Sequence, residues 1–542
     1  MKKILLLLRT LKYLRISQIF FRLFYIIRRK IRRLSGFSYS FSMENNAANI
    51  NLIPSIDSHI SLELRNFRNF TFLNQTHSFP REKIDWNFNE YGKLWTYNLC
   101  YFDFLNQRGI SKDNGIDLVN HFIDNISEVK DGLEPFPISL RGINWVKFLL
   151  RHNLRDSRVD ASLYAQYQIL LDNLEYHLLG NHLLENGFSL LFGAYYFNDK
   201  KLYSKAEKIL KSELNEQILE DGAHFELSPM YHQIMLFRML DCLNLIQSNP
   251  ELFNSSQSLK DVLIEKTKIM FSWLKRMTFS NGDIPLFNDS AFEIAPTTTE
   301  LSDYAEKLNL NGLLSSVSTP TVLSVDSRTC GYRTIQKENY ECILDIGHIG
   351  PDYIPGHAHA DTFNFVLYIK REPFIIDTGL STYEVSERRM QERGTSAHNT
   401  VVVKNSNSSE VWGGFRVANR AYITNVKESE YTIRATHNGY YKRFEVLHSR
   451  EWLFEDDKII INDSLNKKSE ATAFLHFHPD VTEGMIADRI LINNSKEKIQ
   501  EYITKYQYAP EFNKLEDALM LKIPFIQTLT IEIEINIELK KV

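Results

Sequence analysis

The chain is short of cysteine: Cys100, Cys242, Cys330 and Cys342 are its four, widely spread and with no Cys-x-x-Cys pair. That argues against a cysteine-built zinc module or a disulfide scaffold and is compatible with a reducing compartment. Low-complexity tracts are missing, as expected of an ordinary folded protein. Long apolar runs are missing too. Ile4–Leu8 and Leu23–Ile27 are the longest near the start, far below the roughly 18–20 residues that a transmembrane helix needs. Acid is absent from residues 1–33, which instead hold eleven Lys and Arg, in a chain of net charge −4. Arg9 and Lys12 interrupt what would be a signal-peptide core, and no small-residue cleavage site follows. Two readings of 1–33 remain: a basic amphipathic helix lying on an anionic membrane surface, or a helix packed on the protein itself. A cytoplasmic or membrane-peripheral location is expected over secretion, and no nucleic-acid partner is expected.

Aromatic residues are plentiful: 35 Phe, 26 Tyr and 6 Trp make up 12% of the chain. Such rings suit the apolar faces of sugars as well as protein cores. At 542 residues several domains are expected. Residues 34–84 are largely polar, with turn formers, and read as a linker or extended arm. Residues 85–318 carry helical periodicity over 139–156, 159–179, 182–198, 201–220, 227–248 and 258–279, separated by short polar breaks. These predict antiparallel helical hairpins, closed into a ring or stacked as a solenoid. From 319 to 542 the texture changes to short β-branched and aromatic runs, among them 363–369, 374–376, 400–403, 431–435, 451–454, 458–461, 473–477 and 529–535. These suggest an antiparallel sandwich, so an all-α half precedes an all-β half.

Chemistry-bearing residues cluster in both halves. Gly356-His357-Ala358-His359-Ala360-Asp361, if it opens a strand, puts His357 and His359 on one side. Asp377 and His398 follow, and two imidazoles with a carboxylate suit zinc. In the helical half, Asn181, His182 and Glu185 lie at a helix start. Ser228-Pro229 predicts another start, with Ser228 as cap, Pro229 in the first turn, and Tyr231 close behind near His224, Glu226 and His232. Arg141, Asn144 and Trp145, with Trp95, Tyr97, Asn98 and Tyr101, combine cation, amide and aromatic groups able to hold an acidic sugar; ordinary helix packing explains them equally well.

Together these stretches resemble the heparinase II/III family of polysaccharide lyases, over about residues 90–540 in architecture and most specifically at 356–361, 377–379, 398–400, 181–185 and 228–232. The resemblance implies an α+β multidomain fold: an incomplete α/α toroid followed by an antiparallel β-sandwich, with the site between them. It implies a structural zinc ion on His359, Asp377 and His398, His357 facing the cleft, Tyr231 as catalytic tyrosine, Asn181 or His182 neutralising the substrate carboxylate, and Glu185 in support. The expected activity is β-elimination on a uronate-containing acidic polysaccharide, with Arg141 or a neighbouring His lowering the Tyr231 pKa. The family's secreted lyases begin with a clear signal peptide. The basic start found here instead resembles the subset encoded in bacterial capsule or O-antigen clusters. The competing functions are a glycosidase using Glu185 and Glu226, a His-x-His metal hydrolase, and a glycan-binding or assembly factor without turnover.

Overall fold

The computed structural model describes residues 2–64, 68–253, 256–310, 328–493 and 498–536. The expected boundary at 318/319 lies outside the described residues. The helical half contains α3 (Lys93–Tyr101), α4 (Lys112–Asn125), α5 (Pro135–Arg151), α6 (Ser157–Asp172), α7 (Gly180–Phe197), α8 (Lys200–Gln217), α9 (Pro229–Ser248), α10 (Ser256–Arg276) and α11 (Thr298–Lys307). The six periodic segments read from the sequence are α5 to α10, with ends shifted by a few residues.

Their burial explains their order. α5, α7 and α9 are buried on nearly every face, and such helices must lie inside. They pack side by side, flanked by α3 and α11. α8 and α10 keep charged outer faces and lie against one another outside this row, as α4 does against α6. The arrangement is a double row of helices, as in an incomplete α/α toroid. Residues 34–61 run mostly extended over the toroid, held by bonds such as Asn51 N–H to Asn249 Oδ1 (2.8 Å) and Ile53 N–H to Asn244 Oδ1 (3.0 Å). The remainder of the expected arm is more structured: Leu62–Leu64, Arg68–Phe72 and Gln75–Phe79 form an antiparallel sheet that buries Phe70, Phe72 and Phe79.

The basic N-terminus, expected as one helix, is two: α1 (Lys2–Leu11) and α2 (Ile16–Leu34). Both pack against the protein. Arg28 and Arg32 reach Asp172 (3.1 and 2.5 Å), and Arg9 reaches Glu410 of the β half (2.8 Å). No helix among the described residues is long and apolar enough to cross a membrane.

In the β half the largest sheet orders Ile423–Glu428, Thr432–His437, His448–Phe454, Lys458–Leu465, Thr528–Glu534 and Ile490–Ile492 side by side, each antiparallel to its neighbour. Lys458–Leu465 alternates buried with half-buried residues, as a strand with one face on a core must. Ile503–Tyr508, Glu516–Phe525, Ala471–His476 and Val401–Val403 form a second sheet, and Tyr332–Gln336, Tyr340–Asp345, Phe365–Ile369 and Glu372–Ile375 a third. The sheets share a core containing Trp452, Ile461, Leu475 and Ile531. Inside it, Arg450 pairs with Asp463 (2.7 Å) and donates to the carbonyls of Phe363 (3.0 Å) and Asn399 (2.6 Å). That cation clamps the loops carrying the candidate site.

Candidate active site

The cap predicted at Ser228 is present. Ser228 Oγ accepts from Tyr231 N–H (3.2 Å) and Pro229 occupies the first turn, so Tyr231 stands at the open end of α9. Leu227, immediately before, is held at φ 59°, a conformation that a branched side chain rarely adopts. Ser228 Oγ also donates to the carbonyl of Asp289 (2.8 Å), fixing the 287–290 loop beside Tyr231. That loop bonds to 356–359: Asp289 N–H donates to His357 O (3.1 Å) and His359 N–H to Asn288 Oδ1 (2.9 Å).

Gly356–Asp361 is therefore loop and not the start of a strand, which begins at Phe365. The two imidazoles are brought together by a shared carboxylate instead of by strand alternation. His357 Nδ1 lies 2.9 Å from Asp289 Oδ2, and His359 Nε2 lies 2.8 Å from Asp289 Oδ1. Arg389, from the short helix Glu387–Glu392, binds both oxygens of Asp289 (2.5 and 2.7 Å). Burial alone would raise the Asp289 pKa, but the Arg389 guanidinium and the two imidazoles hold it well below the ordinary carboxylate range.

Around His357 the cleft gathers groups from both halves. The Tyr231 ring lies 4.1 Å from the His357 ring, and the Tyr231 hydroxyl is 3.1 Å from that of Tyr383. Asn181, in the first turn of α7, places Nδ2 3.3 Å from His357 Nε2 and donates to Glu226 Oε2 (2.8 Å). Its backbone N–H donates to Glu226 Oε1 (2.9 Å). Gly180 permits this approach: its φ is +59°, and an added Cβ would sit 2.6 Å from Glu226 Oε1. His357 keeps some exposure, 13% of its side chain.

Asn181 and His182, adjacent in sequence, diverge in space. His182 Nδ1 faces Glu175 (3.0 Å) and its ring lies 4.6 Å from that of Phe136. Burial would lower its pKa, but Glu175 raises it overall. Glu185 is buried against Arg238 (3.3 Å), and burial lifts its pKa despite that cation. It belongs to the core between α7 and α9. With Glu226 bonded to Asn181, the pair of carboxylates needed by a glycosidase does not face open space.

The expected sugar-binding set is largely core. Trp95 and Trp145 are fully buried, and Trp95 Nε1 donates to Gln75 O (3.0 Å). Asn144 is spent on Tyr101 O (2.9 Å) and Asp103 (2.6 Å). Arg141 is also fully buried and donates to Gln166 (2.7 Å) and to the carbonyls of Cys100 and Gly132 (both 2.9 Å). These side chains tie α5 to α3, and none is free for a glycan. Arg141 does not activate Tyr231 either: burial pushes the tyrosine's pKa up, and the hydrogen bond from Tyr383 offsets only part of that. Of the seven, only Asn98 and Tyr97 are half-buried: Asn98 donates to Leu94 O (2.8 Å), and Tyr97 is bonded to Glu134. Tyr97 begins a line of rings through Tyr101 (6.0 Å) and Phe136 (a further 6.0 Å) to His182.

His359, Asp377 and His398 lie behind His357, all buried. His398 Nδ1 bonds to Asp377 Oδ2 (2.8 Å), which also accepts from Asn364 (2.5 Å). The two imidazole centroids are 5.3 Å apart. Among the described residues no three His, Cys, Asp or Glu side chains are gathered into a ready ligand set. Three buried atoms here nevertheless have no hydrogen-bond partner: His359 Nδ1, His398 Nε2 and Asp361 Oδ2. Each is a normal metal donor, and buried polar atoms without partners are costly.

Asp289, Arg389 and Tyr383 are the residues that sequence reasoning did not find. Arg389 sits in Glu387-Arg388-Arg389, which reads as a solvated charge run, and Asp289 sits in a polar triplet resembling any turn. No local pattern shows that both are sealed and paired.

A toroid joined to a sandwich, with Tyr, His and Asn at the junction, defines a class of two-domain proteins with an interdomain cleft. The heparinase II/III N-terminus model matches residues 144–309, and the heparinase II/III-like, C-terminal model matches 319–519. This chain belongs to the heparinase II/III family. It is 22% identical over 354 residues to a heparin-sulfate lyase of Bacteroides stercoris, covering 61% of this chain and 49% of that protein. It is also 22% identical over 344 residues to one of Pedobacter heparinus, covering 59% and 49%. The chain thus spans about half the length of the curated relatives it matches. The crystal structure of heparinase III shares the fold at a TM-score of 0.63 and 16% identity, covering 84% of this chain and 80% of that one.

Proposed function

We propose that this protein is a polysaccharide lyase that cleaves a uronate-containing acidic glycan by β-elimination. The observation that carries this reading is the convergence of Tyr231, His357 and Asn181 at one cleft. β-Elimination needs a group to stabilise the charge spreading into the uronate carboxylate, a base for the C5 proton and an acid for the departing O4. Asn181 Nδ2 is the candidate for the first role, acting as an oxyanion-hole donor does. With Nδ1–H donated to Asp289, His357 Nε2 is the unprotonated nitrogen; once substrate displaces its contact with Asn181 Nδ2 it can take the C5 proton, and Asp289 stabilises the imidazolium that forms. As the C4–O4 bond breaks and C4=C5 forms, O4 takes the proton of Tyr231. Burial keeps that hydroxyl protonated at rest, and Tyr383 can hydrogen-bond the phenolate that results.

A cation fits the sealed group behind the cleft, with zinc the best match to two imidazoles and a carboxylate. His359 Nδ1, His398 Nε2 and Asp361 Oδ2 are the donors without partners. Asp289 and Asp377 bond to the other nitrogen of each imidazole, the usual support for a metal-bound histidine. On this reading Asp361, in place of Asp377, is the carboxylate ligand, and Asp377 supports His398. Such an ion would supply structural cross-linking between loops 356–361 and 395–400.

The heparin-sulfate lyase names of the relatives make that glycan the first substrate to try. A capsule or O-antigen polymer of the producing cell is the second. The test is ultraviolet absorbance of the protein mixed with a panel of uronate glycans, since elimination leaves a C4=C5 bond conjugated to the carboxylate. Rising absorbance supports the reading. Saturated products, or binding without turnover on every acidic glycan, would instead favour a glycosidase or a binding factor.

A further inference from the structure

α1 and α2 take no part in the cleft, and one side of them is fully accounted for by the protein beneath. Arg15 pairs with Glu216, Gln18 donates to Leu178 O (3.2 Å), Tyr25 donates to Leu174 O (2.5 Å), and Phe21 stacks on Tyr176 (4.9 Å). On α1, Thr10 accepts from Trp412 Nε1 (3.1 Å), and in the turn that follows Arg420 lies over the Tyr13 ring (3.8 Å). These contacts fix which side of each helix faces outward.

The outward side is apolar. Ile16, Phe20, Leu23, Ile27, Ile31 and Leu34 recur every three or four residues and are each more than half exposed, from 56% at Leu23 and Ile27 to 88% at Leu34. On α1, Ile4 and Leu8 are likewise exposed, at 64% and 59%. A row at this spacing is one continuous stripe along a helix. A solvated surface does not ordinarily keep so large an apolar patch uncovered.

Charge selects what covers it. No Asp or Glu occurs before Glu44. Lys3, Lys12, Arg29, Lys30 and Arg33 are exposed and make no ion pair among the described residues. A second copy meeting this face symmetrically would set like charges against like. An anionic bilayer offers negative headgroups to the cations and an acyl layer to the stripe. We propose that α1 and α2 form a docking face for an anionic membrane surface, lying flat with the stripe in the headgroup–acyl boundary. The face is tied to the site: α1 holds the Val411–Val417 segment, whose Phe415 lies 6.3 Å from the His357 ring and 5.3 Å from that of Tyr383. A bilayer at this face would hold the cleft mouth next to membrane-attached polymer. The docking itself does not depend on the lyase reading.

The test is co-sedimentation of the full chain with vesicles of phosphatidylcholine alone and of phosphatidylcholine mixed with phosphatidylglycerol. Binding is expected on the anionic vesicles, weakening as salt rises. Each Lys or Arg at such a surface changes partitioning roughly fivefold, so Arg29→Gln/Lys30→Gln/Arg33→Gln together should lower it on the order of a hundredfold. Phe20→Ser/Leu23→Ser/Ile27→Ser should abolish binding without shifting thermal unfolding, because these side chains are exposed. The proposal is overturned if cooperatively folded protein sediments with neither vesicle, or equally with both. It is also overturned if light scattering finds a dimer that the same serine variant converts to monomer, which would make the face a contact between copies.

Discussion

The cleft around His357 and the sealed pocket around His359 are built from the same six-residue stretch and share Asp289, yet they differ in access to water. His357 retains some exposure and meets Tyr231 and Asn181. His359 has none, and its neighbours Asp361, Asp377 and His398 are buried with it. A group open to the cleft can reach a substrate. A sealed group needs a fixed countercharge, which Arg389 supplies to Asp289 and a cation would supply to the pocket. One carboxylate thus orients a candidate base on one side and a candidate metal ligand on the other.

Tyr231→Phe tests the cleft alone. It should lower elimination about a thousandfold while leaving the circular dichroism spectrum unchanged, as loss of a general acid does. Retained turnover on a substrate that the parent cleaves would remove Tyr231 from the mechanism. Asp289→Asn strikes both regions, because it leaves buried Arg389 without its partner. A loss of about 3–5 kcal/mol in denaturant unfolding is expected, together with loss of activity. If stability is unaffected, Asp289 does not couple the cleft to the pocket.

His398→Ala tests the pocket. Elemental analysis should find bound metal in the parent and none in the variant. The unfolding temperature should fall by roughly 5 °C, at about 2–4 °C per kcal/mol for domains of this size. Metal-free parent protein that is indifferent to chelator would count against the ion. The smallest effect concerns a buried carboxylate whose nearby cation, Arg15, offsets only part of the cost of burial. Burial lifts Glu213 from 4.5 to about 6. Because the folded state then holds the proton more tightly, the stability it contributes is full below 4.5 and is lost as pH rises through 6. Glu213→Gln should therefore stabilise the protein by about 1–2 kcal/mol at pH 7, and by little at pH 4, in urea titrations. An equal effect at both pH values would deny the shift.

Much of the fold was legible because periodicity and caps are local. The apolar spacing gave α5 to α10, and Ser228-Pro229 gave the start of α9 and so the place of Tyr231. Strands such as Tyr340–Asp345 and Ile503–Tyr508 were missed, since short apolar or mixed runs look alike in strand, loop and helix. Arg141, Asn144, Trp145 and Trp95 misled for a related reason. Cations, amides and indoles serve sugar binding and buried helix ties equally well, and composition does not record which way a side chain faces.

The sequence by itself determined an all-α half followed by an all-β half and the family to which the chain belongs, and it named candidates for the site. Only the tertiary structure decided that one carboxylate, Asp289, joins His357 to His359, that Asn181 and not its neighbour meets His357, and that Arg389 holds the arrangement. Those choices rest on contacts between segments as far apart as 181, 226, 289, 357 and 389. Burial and pairing set the protonation of each group there, and both are properties of the packed neighbourhood that no short stretch of chain encodes.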